Sequence, residues 1–414
     1  MSKRSTHVLT VSSRQRSRHS QLPILLVTGM LSLLFLYMSY TCLTFGTETS
    51  GSGTGFPDLP FDTVTSGLTD PISTTDPTPA TIDTAVAPAD DLHYFYSQLS
   101  AEDKEVYDQL LTCLQDHTEE LTLTGTSSEK MEALLTCVLS DHPELFWMGS
   151  SYHSASLVGS TVFYPTYNRT AAQVSAEQPL VDSALQTAQD TIGQPASEYE
   201  TVKAVYEYIV RTVDYVSGDD DQNIISSLVD HASVCAGYSR GMQLLLQQYG
   251  IQSIYTTGTV IDSGPHAWLV VRIDGNYYNV DVTFADRNSE NDVVPDMIDC
   301  NYAYLCVPDD LFYQDRLQDP SYLSVPSCTQ EDLEYYRMND HYFTSYDEAA
   351  ASMEQNLRSG ELFWEGQFDT PELYQQLIDS NPYSTLAIES GISGTFRTVM
   401  DDDARIVTCY YTAA

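Results

Sequence analysis

The chain has 414 residues, enough for two or three domains with separate hydrophobic cores. Hydrophobic residues make up 42% of it and charged residues 18%, which is typical of a globular protein and excludes a mainly disordered one. Acidic residues number 58 against 18 Lys and Arg, a net charge of −40, and a surface of that charge repels phosphate backbones. We therefore expect no nucleic-acid partner.

The charge is unevenly distributed along the chain. All charged residues within positions 1–21 are basic, and the first acidic residue is Glu48. Residues 22–45 form an uncharged apolar run that is long enough for a membrane-spanning helix. The pattern predicts a cytoplasmic basic tail over 1–21, a single-pass helix over 22–45 and an extracellular remainder at the cell membrane. A cleaved signal peptide is the alternative.

The rest of the chain divides by composition. Residues 46–91 are rich in Gly, Ser, Thr, Pro and Asp and contain no Lys or Arg, which predicts a disordered linker. Beyond it we expect three regions, namely a helical N-terminal region, a catalytic core and a small α/β C-terminal region, over 92–195, 196–330 and 331–414.

Periodicity and capping signals predict the elements on either side of the core. In the N-terminal part these are helices at 100–117, 128–139 and 172–192, a strand at 156–167, and a helix that starts at Ser197 with Glu200 in its capping box. Towards the C-terminus they are a strand and turn at 302–312, helices at 345–357 and from Pro371, and strands at 395–400 and 405–412. The acidic turn between the last two strands is interpreted as a solvated loop, with calcium binding as the minor alternative.

A cysteine lies at the predicted start of a helix in the segment SVCAGYSRGMQLLLQQYG. At that position the unpaired amides and the helix dipole favour the thiolate of Cys235, which is the reactive form. A buried structural cysteine is the alternative. Gly237 favours the reactive interpretation, because a small residue allows a close approach by substrate, and we place it in the wall of the site.

A predicted β-hairpin, GPHAWLVVRIDGNYYNVDVTF, follows in the sequence, with a two-residue turn at Asp274-Gly275. That turn fixes the register of the two strands. In this register His266 and Asp281 are diagonal neighbours on one face, within reach of a hydrogen bond. Trp268 shares their face and is placed in the wall of the site.

The order Cys, His, Asp predicts a catalytic triad. His266 would take the proton of the Cys235 thiol, and Asp281 would fix the tautomer of the imidazole and stabilise the imidazolium. The backbone amide of Cys235 and the side chain of Gln222 are candidate oxyanion donors, although a surface role for this glutamine is the alternative. A zinc site competes weakly, because no CxxC or HxxxH spacing is present. We expect no metal and no cofactor.

The segments VCAGYSRGMQLLLQQYGI and PHAWLVVRIDGNYYNVDVTF resemble the core of the transglutaminase-like superfamily in its bacterial cell-surface branch. The flanking DHPELFW and YYRMNDHYFTSYDEA are similar to segments of the same proteins. The resemblance implies a papain-like α+β fold in which the helix that bears the nucleophile packs on an antiparallel sheet. It implies Cys235 as nucleophile, His266 as general base and acid, and Asp281 as the orienting group. Leu269 and Phe284 depart from the usual Asn and Trp of the family.

The sequence therefore predicts a membrane-anchored extracellular thiol enzyme that acts on peptide or glutamine amides of cell-surface proteins through a thioester. Its outcome would be hydrolysis, as in a cysteine protease, or acyl transfer to a lysine amine, as in a transglutaminase. A catalytically silent binding or scaffold module that retains the fold is the alternative. Two further expectations concern single residues. Cys113 and Cys137 are the first disulfide pair to test, and Asn279→Ala should be far milder in its effect on activity than Asp281→Asn.

Overall fold

The structure is a computed structural model that describes residues 9–11, 92–261, 263–287, 299–361, 363–380, 382–389, 395–402 and 404–412. The predicted membrane-spanning helix at 22–45 and the predicted linker at 46–91 lie outside these residues, as does most of the predicted tail. Among the helices of the described ranges, none combines the length and apolar composition that crossing a membrane requires.

The N-terminal region consists of three helices and a three-stranded antiparallel sheet. The helices are α1 (Tyr94–Gln98), α2 (Ala101–Gln115) and α3 (Ser128–Asp141), and the sheet has the order β2 (Leu121–Thr124), β4 (Ser160–Tyr167), β3 (Met148–Leu157). The Ser100 hydroxyl accepts a hydrogen bond from the Asp103 amide at 3.2 Å, which caps α2. The helix predicted from this pair of residues is confirmed.

The segment 156–167, predicted to be strand, is in strands except at residues 158 and 159, where the chain reverses. Leu157 ends β3 and Ser160 begins β4, so the segment holds the turn and second strand of a hairpin. Gly159 lies in this turn with a φ of 79°, a conformation that glycine adopts without steric cost.

Two long helices lead into the core, and both were predicted. They are α4 (Ala171–Ile192) and α5 (Glu198–Thr212). The Ser197 hydroxyl accepts from the Glu200 amide at 3.2 Å and so caps α5, as expected. Val202, Tyr206 and Ile209 are fully buried on one face of α5, which contributes to the main hydrophobic core.

The core pairs one helix with a four-stranded antiparallel sheet. Helix α6 (Cys235–Gln248) follows the short parallel strands β5 (Asp214–Tyr215) and β6 (Ala232–Ser233) and the intervening π-helix Ile225–Val229. The sheet has the order β10 (Arg316–Gln318), β7 (Ser253–Val260), β8 (Gly264–Ile273), β9 (Asn276–Val280). Helix α6 packs on β7 and β8 with Tyr238, Met242 and Leu245 buried. This arrangement confirms the α+β fold.

The strand predicted at 302–312 is wrong. Its residues form a 3₁₀ turn, Tyr302–Tyr304, and the short helix α7 (Asp309–Phe312). The Asn301 side chain accepts a hydrogen bond from the Ala303 amide at 3.1 Å, so the chain starts a helical turn where the apolar residues suggested a strand.

The C-terminal region has a hydrophobic core of its own, built around Trp364, Phe368 and Met353. The predicted helices and strands are confirmed, with bounds that differ by a few residues. The elements are α8 (Tyr335–Met338), β11 (Tyr342–Phe343), α9 (Tyr346–Ser359), β12 (Phe363–Phe368), α10 (Pro371–Ser380), α11 (Pro382–Glu389), β13 (Thr395–Asp401) and β14 (Ile406–Thr412).

The strands of this region form a five-stranded sheet in the order β1, β13, β14, β12, β11. Its first strand, β1 (Leu9–Val11), comes from the predicted basic tail and pairs antiparallel with β13, with Leu9 opposite Thr398.

All seven cysteines of the described ranges are free thiols. The pair expected between Cys113 and Cys137 is therefore wrong. The thiol of Cys113 instead contacts the Thr118 carbonyl oxygen at 3.7 Å, just beyond the end of α2.

Candidate active site

Cys235 is the first residue of α6, as the sequence indicated. The preceding residue, Val234, occupies the capping position and offers no side-chain acceptor to the first amides of the helix. Cys235 therefore lies at the end of the helix where the first amides are uncapped by a side chain and the helix dipole is positive. Cys235 is partly exposed, whereas the other six described cysteines are buried. It is thus the described thiol best placed to meet a substrate.

A close contact between α6 and the preceding segment fixes the start of the helix. The Asp221 carbonyl oxygen accepts hydrogen bonds from the Val234 amide at 3.0 Å and from the Ser233 hydroxyl at 2.7 Å. Gly237 is buried there, and a Cβ on it would lie 1.9 Å from the Ser233 oxygen. Gly237 therefore makes room for the protein's own chain. Its placement in the substrate-facing wall is wrong.

Gln222 follows Asp221, so it lies beside the start of α6 with an exposed side chain. Its backbone position is compatible with an oxyanion donor near Cys235. Its role as such a donor stays a prediction.

The hairpin that carries His266 and Asp281 has the predicted register. Ile273 pairs with Asn276 across the two-residue turn. As expected from that register, His266 Nε2 and Asp281 Oδ2 form a hydrogen bond of 2.9 Å. Both side chains are buried. The predicted hydrogen bond is confirmed, and the catalytic roles of the two residues stay predictions.

The imidazole of His266 joins the carboxylate to the thiol. Cys235 lies close enough to the ring to contribute to the raised pKa of His266. Because Nε2 is occupied by Asp281, Nδ1 is the ring nitrogen left for the sulfur. A carboxylate, an imidazole and a thiol in this order form the arrangement in which a thiolate and an imidazolium stabilise each other.

The charges at the site shift the pKa values of both His266 and Asp281. Burial disfavours the His266 imidazolium, but the charge and hydrogen bond of Asp281, followed by Cys235, outweigh it and raise the pKa of His266 to about 9. Burial also opposes the Asp281 carboxylate, yet His266, Arg316 and the Phe284 amide lower the pKa of Asp281 below its ordinary value. The pair is therefore ionic at neutral pH.

Trp268 supports the back of the histidine and does not face substrate. Its ring is fully buried and stacks on His266, with ring centroids 6.3 Å apart and planes 22° apart. Phe312 and Tyr313 cover its other side at 5.6 and 6.3 Å. The placement of Trp268 in the substrate-facing wall is wrong, because the α7 segment covers the face of β8 that the sequence suggested was open.

The α7 segment and the residues before it also cover Asn279, so substitution of this residue disturbs buried contacts. Its side chain is fully buried and donates to the Val307 carbonyl oxygen at 3.2 Å and to Asp309 Oδ1 at 2.9 Å. Alanine would remove both hydrogen bonds and leave these acceptors without them. Asn279 is therefore a structural residue, and its contacts do not support the use of Asn279→Ala as a mild control for Asp281→Asn.

Arg316 is a residue of the site that sequence reasoning missed. Its Nη2 lies 3.0 Å from Asp281 Oδ2, and its side chain is buried. Asp281 and Arg316 are 35 residues apart, and neither turn chemistry nor periodicity relates positions across that distance. Within the described residues no group of three His, Cys, Asp or Glu side chains is arranged to hold a metal ion.

Comparison with known families identifies the core. Residues 185–282 match the model of the Transglutaminase-like superfamily, and this range includes Cys235, His266 and Asp281. No curated protein matches the sequence.

Solved structures of two kinds resemble parts of the chain. One is a TGase, with 15% identity over 42% of this chain and 53% of its own, and a TM-score of 0.25. Another is described as a candidate cysteine protease from Cytophaga hutchinsonii, with 18% identity over 32% of this chain and 61% of its own, and a TM-score of 0.23. The chain thus spans between half and two thirds of each of these proteins.

The His266–Asp281 pair makes a pH-dependent contribution to stability. Because the pKa of His266 rises from 6.5 to about 9 on folding, this contribution is fully present below about pH 6.5 and is lost as the pH rises through about 9. We expect Asp281→Asn to melt below the wild type at pH 6, with a difference in Tm that narrows towards pH 10. Thermal unfolding followed by circular dichroism at both pH values measures this.

The matched control is Asp274→Asn at the exposed hairpin turn, where the same substitution touches no histidine. Its difference from the wild type should not change with pH. A difference in Tm for Asp281→Asn that is the same at pH 6 and pH 10 would contradict the pairing.

Proposed function

We propose that this chain is a thiol enzyme acting on peptide bonds or glutamine side-chain amides, because its residues 185–282 match the transglutaminase-like superfamily. One observation carries the proposal: the buried His266 ring is hydrogen-bonded to Asp281, and Cys235, at the start of α6, is close enough to raise the pKa of that ring. A scaffold would have no need of this ionic and partly exposed arrangement. Burying such charges is costly unless they are used or compensated.

The first chemical step forms a thioester. The Cys235 sulfur attacks the amide carbonyl carbon and forms a C–S bond, and the electron pair of the C=O bond moves to the oxygen. As the carbonyl re-forms, the C–N bond breaks, and His266 gives its proton to the departing nitrogen. A peptide amine leaves from a peptide bond, and ammonia leaves from glutamine. The Cys235 amide and the Gln222 side chain are the proposed donors to the developing oxyanion.

The second step resolves the thioester. If water attacks, His266 takes a proton from it, the C–S bond breaks, and the product is a carboxylic acid. If a lysine amine attacks instead, the product is a new amide, which cross-links two chains. In both cases Asp281 stabilises the imidazolium and keeps the ring oriented. The two outcomes differ only in the nucleophile that reaches the thioester.

The test uses the full chain with a glutamine-containing peptide, with and without a primary amine such as a biotinylated cadaverine. We expect release of ammonia or peptide cleavage without the amine, and mass spectrometry to show whether the amine is incorporated when it is present. Cys235→Ala should abolish both products. Turnover that persists in Cys235→Ala would overturn the proposed nucleophile, and a wild-type protein inert to all such substrates would favour the scaffold alternative.

The oxyanion role is tested with a matched pair of glutamines. Gln222→Ala should lower kcat/KM by about 10²–10³, the loss typical of one oxyanion donor. Gln186→Ala, on an exposed position of α4, should leave the rate unchanged. Equal rates for both variants would show that Gln222 is an ordinary surface residue and not an oxyanion donor.

We further propose that the chain is anchored in the cell membrane by residues 22–45, with its N-terminus in the cytoplasm and the catalytic core outside. The uncharged apolar run and the basic residues before it support this arrangement. The pairing of β1 with β13 is incompatible with it, because a tail that pairs with the C-terminal sheet lies on the same side of a membrane as that sheet. The anchored arrangement therefore requires that β1 and β13 are unpaired in the membrane-bound protein.

Protease added to intact cells separates the two arrangements. The anchored arrangement predicts digestion of residues beyond 46 and protection of an epitope placed at the N-terminus. Protection of the 92–414 region from the protease would overturn the proposed topology. Digestion of the N-terminal epitope along with the 92–414 region would overturn it as well.

A further inference from the structure

Arg316 is a buried cation next to the proposed triad. It begins β10, at the edge of the core sheet, where it pairs with Val260 of β7. Its side chain is 3% exposed, and burial of a cation is costly unless acidic partners compensate. Its partners are the buried Asp281, at 3.0 Å, and its neighbour in the chain, Asp315, which is about half exposed.

Three aromatic rings enclose the guanidinium. The centroids of Phe312, Phe284 and Tyr304 lie 4.5, 4.8 and 5.4 Å from its central carbon. All are within the range in which a cation is attracted to the face of a ring. The rings also restrict the rotamers open to the side chain. Arg316 is therefore held in place and directed at one carboxylate.

The backbone of β10 reaches this place because β7 has a glycine opposite. Gly258 pairs with His266 on one side and with Gln318 on the other. A Cβ at Gly258 would lie 2.2 Å from the Leu317 carbonyl oxygen and 2.5 Å from the Trp268 ring. Because Gly258 has no side chain, β10, which carries Arg316, can lie close to β7 and to the Trp268 ring beside His266.

Arg316 and His266 share one oxygen atom. Asp281 Oδ2 lies 2.9 Å from His266 Nε2 and 3.0 Å from Arg316 Nη2, whereas Oδ1 accepts from the Phe284 amide at 3.2 Å. Two cations therefore divide the charge of one carboxylate. Besides the arginine, the amide of Phe284 and the ring of His266 orient the carboxylate.

We propose that Arg316 is a positioning residue of the thiol site, which takes up part of the Asp281 charge and so limits how tightly that carboxylate holds the His266 imidazolium. The inference rests on the proposed function and deepens it. A thiol enzyme needs an imidazolium that gives its proton to the leaving nitrogen, and a histidine bound to an unshared buried carboxylate would hold that proton too firmly. The arginine corrects this without touching the substrate.

The groups that act on the His266 proton come from each element packed around it. Cys235 acts on the ring from α6 and Asp281 acts on it from the end of the hairpin, whereas Arg316 acts on Asp281 from β10. Tyr206 and Tyr215 are within electrostatic range of Asp281, and burial raises the pKa of each phenol, so both are neutral at physiological pH. Among the described groups that contact Asp281, Arg316 is thus the cation that opposes protonation of the His266 ring.

The test measures the titration of His266 in the full chain by NMR, with histidines labelled at Cε1 and the signal assigned by its absence in His266→Gln. It needs no substrate, so its result is independent of whether the proposed activity is found. In Arg316→Met, which replaces the cation by an apolar chain of similar length, the midpoint should rise by about one pH unit, since a like charge a few ångströms away is removed. The matched control is Leu317→Gln, whose side chain is 66% exposed on the same strand, and its midpoint should equal that of the wild type.

Arg316→Lys keeps the charge but loses the planar fork, so its midpoint should stay within about 0.3 unit of the wild type. This variant also serves if Arg316→Met does not fold. An unchanged or lowered midpoint in a folded Arg316→Met would overturn the proposal, because the arginine would then act only as structural support for the carboxylate. A rise of a full unit in Arg316→Lys would overturn it as well, since the charge would not be the cause.

Discussion

The proposed site depends on one buried carboxylate. Removing the Asp281 side chain from water costs several kcal/mol, and partners must compensate for this cost on every side. The structure provides three partners, each from a different part of the chain: His266 from β8, Arg316 from β10 and the Phe284 amide from the turn after the hairpin. The position of the imidazole, and through it the position of the thiol's proton acceptor, follows from these contacts.

The helix start and the hairpin are brought together by packing that involves no catalytic group. Gly237 lets the segment before α6 lie directly on the helix, and Gly258 lets β10 lie directly on β7. The bulky Trp268 fills the space behind His266. Both glycines act by the absence of a side chain, since a methyl group at either position would meet atoms at 1.9 to 2.2 Å. The geometry of the site is therefore a property of the core that supports it.

The sequence predicts those features of the site that depend on turn length and on helical spacing. The two-residue turn at Asp274-Gly275 determines which residues of the hairpin are neighbours, so the contact of His266 with Asp281 follows from counting. The start of α6 at Cys235 follows from helical spacing. Most helices and the C-terminal strands were predicted for the same reason, because their signals lie within the elements themselves.

Contacts made through distant segments were not predictable in this way. The path from Phe284 to Arg316 contains a 3₁₀ turn and a four-residue helix where the pattern suggested a strand, so nothing local indicated that it returns over the hairpin. By packing over the hairpin, this segment buries Trp268 and Asn279 and places Arg316 next to Asp281. Gly237 was misassigned for a related reason: the sequence shows that space is needed beside the cysteine, but not whether substrate or the chain itself fills it.

The central claim is that His266 activates the Cys235 sulfur, and the rate of alkylation by iodoacetamide at pH 6 measures this directly. Mass spectrometry of the full chain should find Cys235 modified before the six buried cysteines. Exposure alone would also favour Cys235, so the decisive comparison is the same residue in His266→Ala, where the rate should fall by about tenfold or more as the thiolate loses its imidazolium partner. An equal rate of Cys235 alkylation in the wild type and in His266→Ala would contradict the account.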